Sequence, residues 1–352
     1  MRGRGDRLER LLGERELDRM LVTDLTNVRY LTGFTGTNGA CICGPGVRFF
    51  LTDFRYTERA AAEVEGWETI TVEADWLKGI AERLEGRVGF EDDHLAVRTL
   101  AKLKEKLADG VEPVAAGGSV EQLRRVKDAD ELAAIEAASK LADEVWLWSL
   151  ERGLAGRSER DVARAAEARI RELGGDPSFP AIVAAGPNGA LPHAEPGERE
   201  IGRGELVVFD MGAQLDGYCS DGTRTFATGE PGEGAREVYG LVLEAQLAAL
   251  AAIAPGVTGH DADTVARKLI ADGGHGERFG HSLGHGVGLE VHEGPRLSQR
   301  SDDVLEPGEV VTVEPGIYLP GELGVRIEDF VVVTDDGYRN LSGLPKDLQI
   351  VE

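Results

Sequence analysis

The sequence predicts two domains, a smaller α/β domain over residues 1–124 and a larger α+β domain over residues 125–352. Three observations predict this. At about 150 residues per domain, a chain of 352 residues is too long for one ordinary core. The first stretch alternates short helix and strand signals, as an α/β unit does. The remainder sets long capped helices beside hairpin-like pairs of apolar strands, which is an α+β pattern.

In chain order, Asp6 to Glu16 reads as a helix with Leu8, Leu11 and Leu12 on one side. Met20 to Val22, Val47 to Thr52 and Val88 to Phe90 read as short buried strands, and Thr57 to Val64 and Leu95 to Leu107 as helices. Cys41 and Cys43 share one face of a further strand. The small-residue run Ala115-Ala116-Gly117-Gly118-Ser119 reads as a linker. Asp128 and Glu131 form an N-cap with its capping-box partner, opening a helix to about Arg152. Ser158 with Asp161 opens the next, to about Leu173, and helices follow over about Ala235 to Ala254 and Asp261 to Asp272. Glu205 to Asp210 is a strand, Asp216-Gly217 a two-residue hairpin turn, and Tyr218 to Ala227 the return. Glu309 to Glu314 is a strand, followed by a Pro/Gly-rich loop and a return over Gly324 to Thr334. Two hairpins of this kind hint at an internal duplication, although their sequences are only weakly alike.

Lys and Arg total 39 against 63 Asp and Glu, a net charge of −24. A surface this acidic repels phosphate backbones and anionic lipid, so no nucleic-acid or membrane partner is expected. The basic start, Met1 to Arg10, runs into Leu11-Leu12-Gly13-Glu14-Arg15, which is no signal-peptide core, and no apolar run nears the length of a membrane span. Three cysteines, an odd number, do not make a disulfide framework, and Cys41, Cys43 and Cys219 are expected to be packed, idle thiols. These bounds suit a cytoplasmic enzyme.

Charge in the wrong place carries the functional argument. Asp210, Asp221, Glu314 and Glu328 sit inside apolar strand segments, where a chain does not ordinarily place carboxylates. The turn at Asp216-Gly217 pairs Leu215 with Tyr218 and hence Gly212 with Asp221, which brings Asp210 and Asp221 close on one face. Carboxylates this close repel unless a proton or cation lies between them. His285 stands in Gly284-His285-Gly286, where glycines permit close approach of the backbone. Of seven histidines, His193, His281, His285 and His292 fall in Gly/Pro-bounded segments, whereas His94, His260 and His275 read as surface or capping residues. Oxygen ligands with one imidazole suit Mn²⁺, Co²⁺, Fe²⁺ or Zn²⁺ rather than a closed structural zinc site. Four carboxylates exceed what one ion needs. Two ions roughly 3.5 Å apart, sharing bridging carboxylates, would use the whole set and activate a hydroxide between them for hydrolysis.

With these residues assembled, the chain resembles the pita-bread metallopeptidases that include Xaa-Pro aminopeptidase and Xaa-Pro dipeptidase (prolidase). The resemblance is carried by LPHAEP (191–196), VVFDMGAQLDGYCSDGTRTF (207–226), GHSLGHGVGLEVHEGP (280–295), VVTVEPGIYLPG (310–321) and GVRIED (324–329). NVRYLTGFTGTNG (27–39) and Asp53-Phe54-Arg55-Tyr56 resemble the smaller creatinase/prolidase-type N-terminal domain of proline-specific members. The resemblance implies a pita-bread catalytic domain over residues 125–352 and two divalent ions, most readily Mn²⁺. It implies that Asp210 chelates one ion, that Asp221 and Glu328 bridge both, and that His285 and Glu314 complete the other's shell. Glu314 would also take the proton of the attacking water. His193 and His292 would bind the substrate and stabilise the oxyanion. His281 would line the proline pocket or orient His292, and Arg326 would hold acidic groups around the metals. A homodimer is implied, in which the partner's N-terminal domain borders the active site and Trp67 or Trp76 lies at the contact.

The expected reaction is cleavage of the bond between an N-terminal residue and proline, with the hydroxide shared by the two metals as nucleophile. Arg296 tilts the expectation towards dipeptides. An arginine just after the His-Glu-x-Pro motif is implicated in similar prolidases in binding the free proline carboxylate, for which a bidentate clamp is apt. The alternative is an Xaa-Pro aminopeptidase acting on longer peptides. A creatinase-like amidinohydrolase and a non-catalytic pita-bread binding protein are disfavoured, because such relatives lose metal ligands and here all five positions are filled.

Overall fold

The structure, a computed structural model, describes residues 3–351. The chain folds as two compact units, Met1–Arg124 and Arg125–Glu352. In the first unit, α1 (Arg4–Glu14) buries Leu8, Leu11 and Leu12, the face that the leucine spacing predicts. There follow β1 (Arg19–Val22), α2 (Leu25–Thr32), β2 (Ala40–Gly44), β3 (Val47–Thr52), α3 (Thr57–Glu63), β4 (Glu68–Thr71), α4 (Trp76–Ala81), β5 (Arg87–Phe90), α5 (Val97–Lys104), β6 (Glu112–Ala115) and α6 (Ser119–Arg125). The strands form one six-stranded mixed sheet in the order β4-β3-β2-β1-β5-β6. Its core gathers Leu21, Ile42, Leu51, Val88 and Leu103, with Trp76 packed half-buried against them. The run 115–119 is not a linker. It turns β6 into α6 within the first unit, Ser119 is fully buried, and the division falls after Arg124.

The second unit opens on α7 (Ala129–Glu151) with the expected capping box: Asp128 accepts from the Glu131 N–H at 2.9 Å, and Glu131 accepts from the Asp128 N–H at 3.0 Å. Ser158 caps α8 (Glu159–Glu172) in the predicted manner. The strands β7 (Asp176–Pro177), β8 (Ile182–Ala185), β9 (Leu206–Asp210), β10 (Ala213–Leu215), β11 (Tyr218–Cys219) and β12 (Thr223–Ala227) follow. Two more helices, α9 (Glu233–Ala252) and α10 (Gly259–Asp272), precede β13 (Gly284–Gly286), β14 (Glu293–Leu297), β15 (Val310–Val313), β16 (Gly316–Leu319), β17 (Leu323–Arg326), β18 (Asp329–Thr334) and β19 (Gly337–Asn340). Each half of the unit therefore lays a helix pair on a strand pair. Val145, Val162 and Ile170 pack on Val207 and Phe209, while Val242, Ala266 and Ile270 pack on Val311, Val313 and Val331.

Both long hairpins are interrupted at the same place, and the interruption is what builds the site. β9 pairs with β12 and β10 with β11, in one continuous antiparallel register across the gap. Asp210 is the last residue of β9, and Asp221 lies in the break between β11 and β12, opposite Gly212. In the second half, β15 pairs with β18 and β16 with β17, again in one register, so Glu314 falls opposite Glu328 in the break. Here the expected Pro/Gly-rich loop is a hairpin. Its strands are four residues long and glycine-bearing, which is why residue propensity reads them as loop.

Candidate metal centre

The backbone sets the geometry. Asp216 and Gly217 have φ of 47° and 79°, as a two-residue turn with left-handed central residues requires. Gly212, opposite Asp221, tolerates no side chain, because a Cβ there would lie 1.9 Å from the Ser220 carbonyl oxygen. The glycines beside His285 serve the same end. A Cβ at Gly284 would meet the Thr312 oxygen at 2.0 Å, and one at Gly286 the Gly294 oxygen at 2.0 Å. β13 is thus squeezed between β14 and β15, which delivers His285 to the acids. The two broken hairpins are joined directly: the Glu328 N–H donates to Thr223 O at 3.0 Å, and the Arg326 N–H to Thr225 Oγ1 at 3.0 Å.

Ligand atoms of Asp221, His285 and Glu328, all buried, lie within 4.8 Å of one another. His285 Nε2 is 3.6 Å from Asp221 Oδ2 and 3.3 Å from Glu314 Oε1. Its Nδ1 donates to the Gly286 carbonyl at 3.1 Å, which leaves Nε2 as the nitrogen that faces the cluster. Arg326 joins Asp210 to the same group. Its Nη2 donates to Asp210 Oδ2 at 2.5 Å, its Nη1 to the Tyr318 hydroxyl at 2.9 Å and its Nε to Thr223 Oγ1 at 3.0 Å. Thr223 in turn donates to Glu328 Oε2 at 2.8 Å, and Thr312 to Glu314 Oε1 at 3.2 Å.

The electrostatics of the cluster are frustrated. Burial first, then neighbouring carboxylates, push Asp221 and Glu328 well above the usual carboxylate range. Asp210 is raised by burial, against the pull of Arg326. Burial would raise Glu314 too, but the hydrogen bond and charge of His285 bring it down to about 2. Burial alone would lower His285, yet Glu314 and Asp221 hold it up at about 9. The four acids outweigh the positive charge around them.

All ten side chains singled out in the sequence line one cavity of about 320 Å³: His193, Asp210, Asp221, His281, His285, His292, Arg296, Glu314, Arg326 and Glu328. Phe179, Ile182, Pro192 and Ser282 complete its wall. The His292 ring stands edge-on to that of His285, with centroids 4.4 Å apart. His193, His292 and Arg296 are exposed. His281 donates from Nδ1 to Ser282 O at 2.8 Å and accepts at Nε2 from the Tyr318 hydroxyl at 2.9 Å, so both ring nitrogens are engaged. Tyr318, Thr223, Thr312, Phe179 and Ile182 carry no sequence signal of their role, since hydroxyl and apolar side chains are ordinary in strands.

The donor set fits divalent cations. Asp210 Oδ1 is buried with no hydrogen-bond partner, an arrangement that is costly without a cation. The carboxylates and the imidazole gathered in the same cavity are the donors that such ions take, with His285 giving up its proton on binding.

Comparison with known proteins agrees with this chemistry. Residues 133–335 match metallopeptidase family M24, and residues 4–126 match the creatinase/prolidase N-terminal domain. The chain belongs to metallopeptidase family M24. Its architecture is that of a pita-bread catalytic domain behind a creatinase-type domain. A solved Xaa-Pro dipeptidase from Bacillus anthracis superposes with a TM-score of 0.96 at 40% identity, over 99% of both chains. An X-Pro aminopeptidase from Thermotoga maritima superposes with a TM-score of 0.92 at 36% identity, over 98% of this chain and 100% of that one. The Xaa-Pro dipeptidase of Pyrococcus furiosus is 37% identical over 99% of this chain and 100% of its own. As an M24 member the chain is a metal-dependent peptidase.

A supporting residue can be tested apart from catalysis. Arg326→Met removes the guanidinium that orients Asp210, and metal affinity should fall about 10- to 100-fold in calorimetric titration. Arg326→Lys should recover little of this, because one ammonium does not span Asp210 and Tyr318. Unchanged affinity in a folded Met variant would mean that Asp210 needs no such support.

Proposed function

We propose that this M24 peptidase hydrolyses the bond between an N-terminal residue and proline, and acts chiefly on Xaa-Pro dipeptides. One observation carries the reading. Two interrupted hairpins bring buried acids and His285 together on one wall of a cavity that also presents His193, His292 and Arg296. In this reading residues 125–352 form the catalytic domain and residues 1–124 the creatinase/prolidase-type domain. Asp210, Asp221, His285, Glu314 and Glu328 would hold two divalent cations, Mn²⁺ by preference since the donors are mostly carboxylate oxygens. When bound, the cations supply Lewis acidity and a hydroxide at neutral pH. The rest falls to the chain's own groups.

Glu314 accepts the proton of the attacking water. His193 and His292 donate to the carbonyl oxygen as it gains negative charge. As the tetrahedral centre collapses, the C–N bond breaks and the proline nitrogen leaves with the proton that Glu314 took. His281 lines the proline site and Arg326 keeps Asp210 in place. Phe179 and Ile182 give the cavity an apolar wall. A bond to proline is a tertiary amide without an N–H, so proteases that grip that N–H fail, whereas the groups named here address only the carbonyl oxygen and the attacking water. Cytoplasmic residence and a homodimer belong to the same proposal. Cys41, Cys43 and Cys219 are buried free thiols, in keeping with a reducing compartment, and burial raises Cys43 and Cys219 to about 12.

Arg296 decides substrate length. It faces His285 across the β13–β14 pairing, with its side chain exposed at the cavity. Arg296→Ala should raise KM for Ala-Pro by about 10- to 100-fold, the loss of one charge-assisted clamp of roughly 1.5–3 kcal/mol. Ala-Pro-Ala, whose proline carboxylate is already an amide, should be little affected. Preference of the wild type for the tripeptide, with no change in the variant, would favour the aminopeptidase reading.

A further inference from the structure

We propose that Arg125 and Lys127, in the segment that leads into α7, are positioning residues for the substrate-gripping strand β14. This rests on the functional reading above, in which His292 and Arg296 touch the peptide. Lys127 is an unusual lysine. Its side chain is only 1% exposed, and its Nζ lies 3.2 Å from Oε2 of Glu293, itself 6% exposed. A lysine is rarely buried to this degree unless its partner must be held. Glu293 is the residue after His292. Its other oxygen accepts the Glu290 N–H at 3.1 Å, which closes the turn that carries His292. Lys127 is fixed in turn by its own N–H, which donates to Gly308 O at 2.9 Å.

Arg125 acts at the other end of the strand. Its Nη1 donates to Asp303 Oδ1 at 3.0 Å, and Asp303 Oδ2 accepts the Arg296 N–H at 2.9 Å. Its Nε donates to buried Glu309 at 2.8 Å, which anchors the guanidinium at the start of β15. Two cations two residues apart thus brace β14 beside His292 and at Arg296. Neither touches the cluster of acids. The two braces serve groups with different tasks, so their removal has different kinetic signatures. Lys127 supports a donor to the developing oxyanion, which acts in the transition state and sets kcat. Arg125 supports a carboxylate clamp, which binds ground and transition state alike and sets KM.

The test uses the full-length, Mn²⁺-loaded protein with Ala-Pro as substrate, and records metal content and Tm alongside the kinetics. Lys127→Met should lower kcat about 10- to 100-fold with metal content unchanged, as misplacement of a reacting group does. Lys127→Arg should recover most of the loss. Arg125→Met should raise KM about 10-fold and leave kcat close to wild type. Lys127→Met removes the countercharge from buried Glu293 and should lower Tm, so Lys127→Met with Glu293→Gln is made in parallel; it should regain Tm while kcat stays low. Folded, metal-loaded variants with wild-type kcat and KM overturn the proposal, as does loss that tracks metal content alone. A wild type that does not cleave Ala-Pro defeats the functional reading itself, and this inference with it.

Discussion

Asp221→Ala should abolish most turnover while leaving the fold intact. Asp221 lies in the break of a hairpin whose strands are paired by backbone on both sides of it. The hairpin therefore does not depend on that side chain. The carboxylate is buried and repelled by its neighbours, chiefly Asp210, so the metal-free variant should melt no lower than the metal-free wild type. The metal-loaded protein should lose at least about 10³-fold in kcat/KM, since partners that only orient ligands already cost about 10- to 100-fold. Circular dichroism, metal analysis and Ala-Pro kinetics on one preparation check all three statements. Retained turnover with two ions bound would remove Asp221 from the site.

Glu314→Gln should lower kcat by about 10² to 10⁴, the range for losing a positioned general base, with a smaller effect on KM. The amide keeps the size of the side chain and its acceptor oxygen near Thr312 Oγ1, but it loses the charge and the capacity to take a proton. His285 should feel the change, because Glu314 is the leading partner that holds its imidazole up at about 9. With that partner neutral, the His285 pKa in metal-free protein should move down, which NMR titration of the ring can follow. A fall in metal content that fully accounts for the lost activity would assign Glu314 to ligation alone.

The elements legible in the sequence are those whose signal is local. Asp128 with Glu131, Ser158 with Asp161 and the Asp216-Gly217 turn announce their structure within four residues, and each is found as expected. The acids were conspicuous because apolar strands surround them, and His285 because glycines flank it. The glycines prove to matter for close approach on both sides of β13 rather than for unusual dihedrals. What stayed hidden depends on the tertiary fold. The β16–β17 hairpin looks like a loop until its register with β15 and β18 is seen. Short α2 and α4 rest on side-chain caps, at Asp24 and Asp75, more than on any periodic face. Tyr318 matters only because Arg326 and His281 converge on its hydroxyl, and Lys127 only because Glu293 comes to meet it from far along the chain.

The most direct measurement is Ala-Pro hydrolysis by one protein sample before chelation, after chelation, and after Mn²⁺ is returned, with bound metal counted at each stage. The expected result is full loss with the metals, recovery with their return, and two ions per chain in the active state. The returned metal should also stabilise the fold, by about 2.7 kcal/mol at one hundred times its Kd. Turnover that survives chelation, or a folded chain carrying two ions that leaves Ala-Pro uncut, would contradict the account.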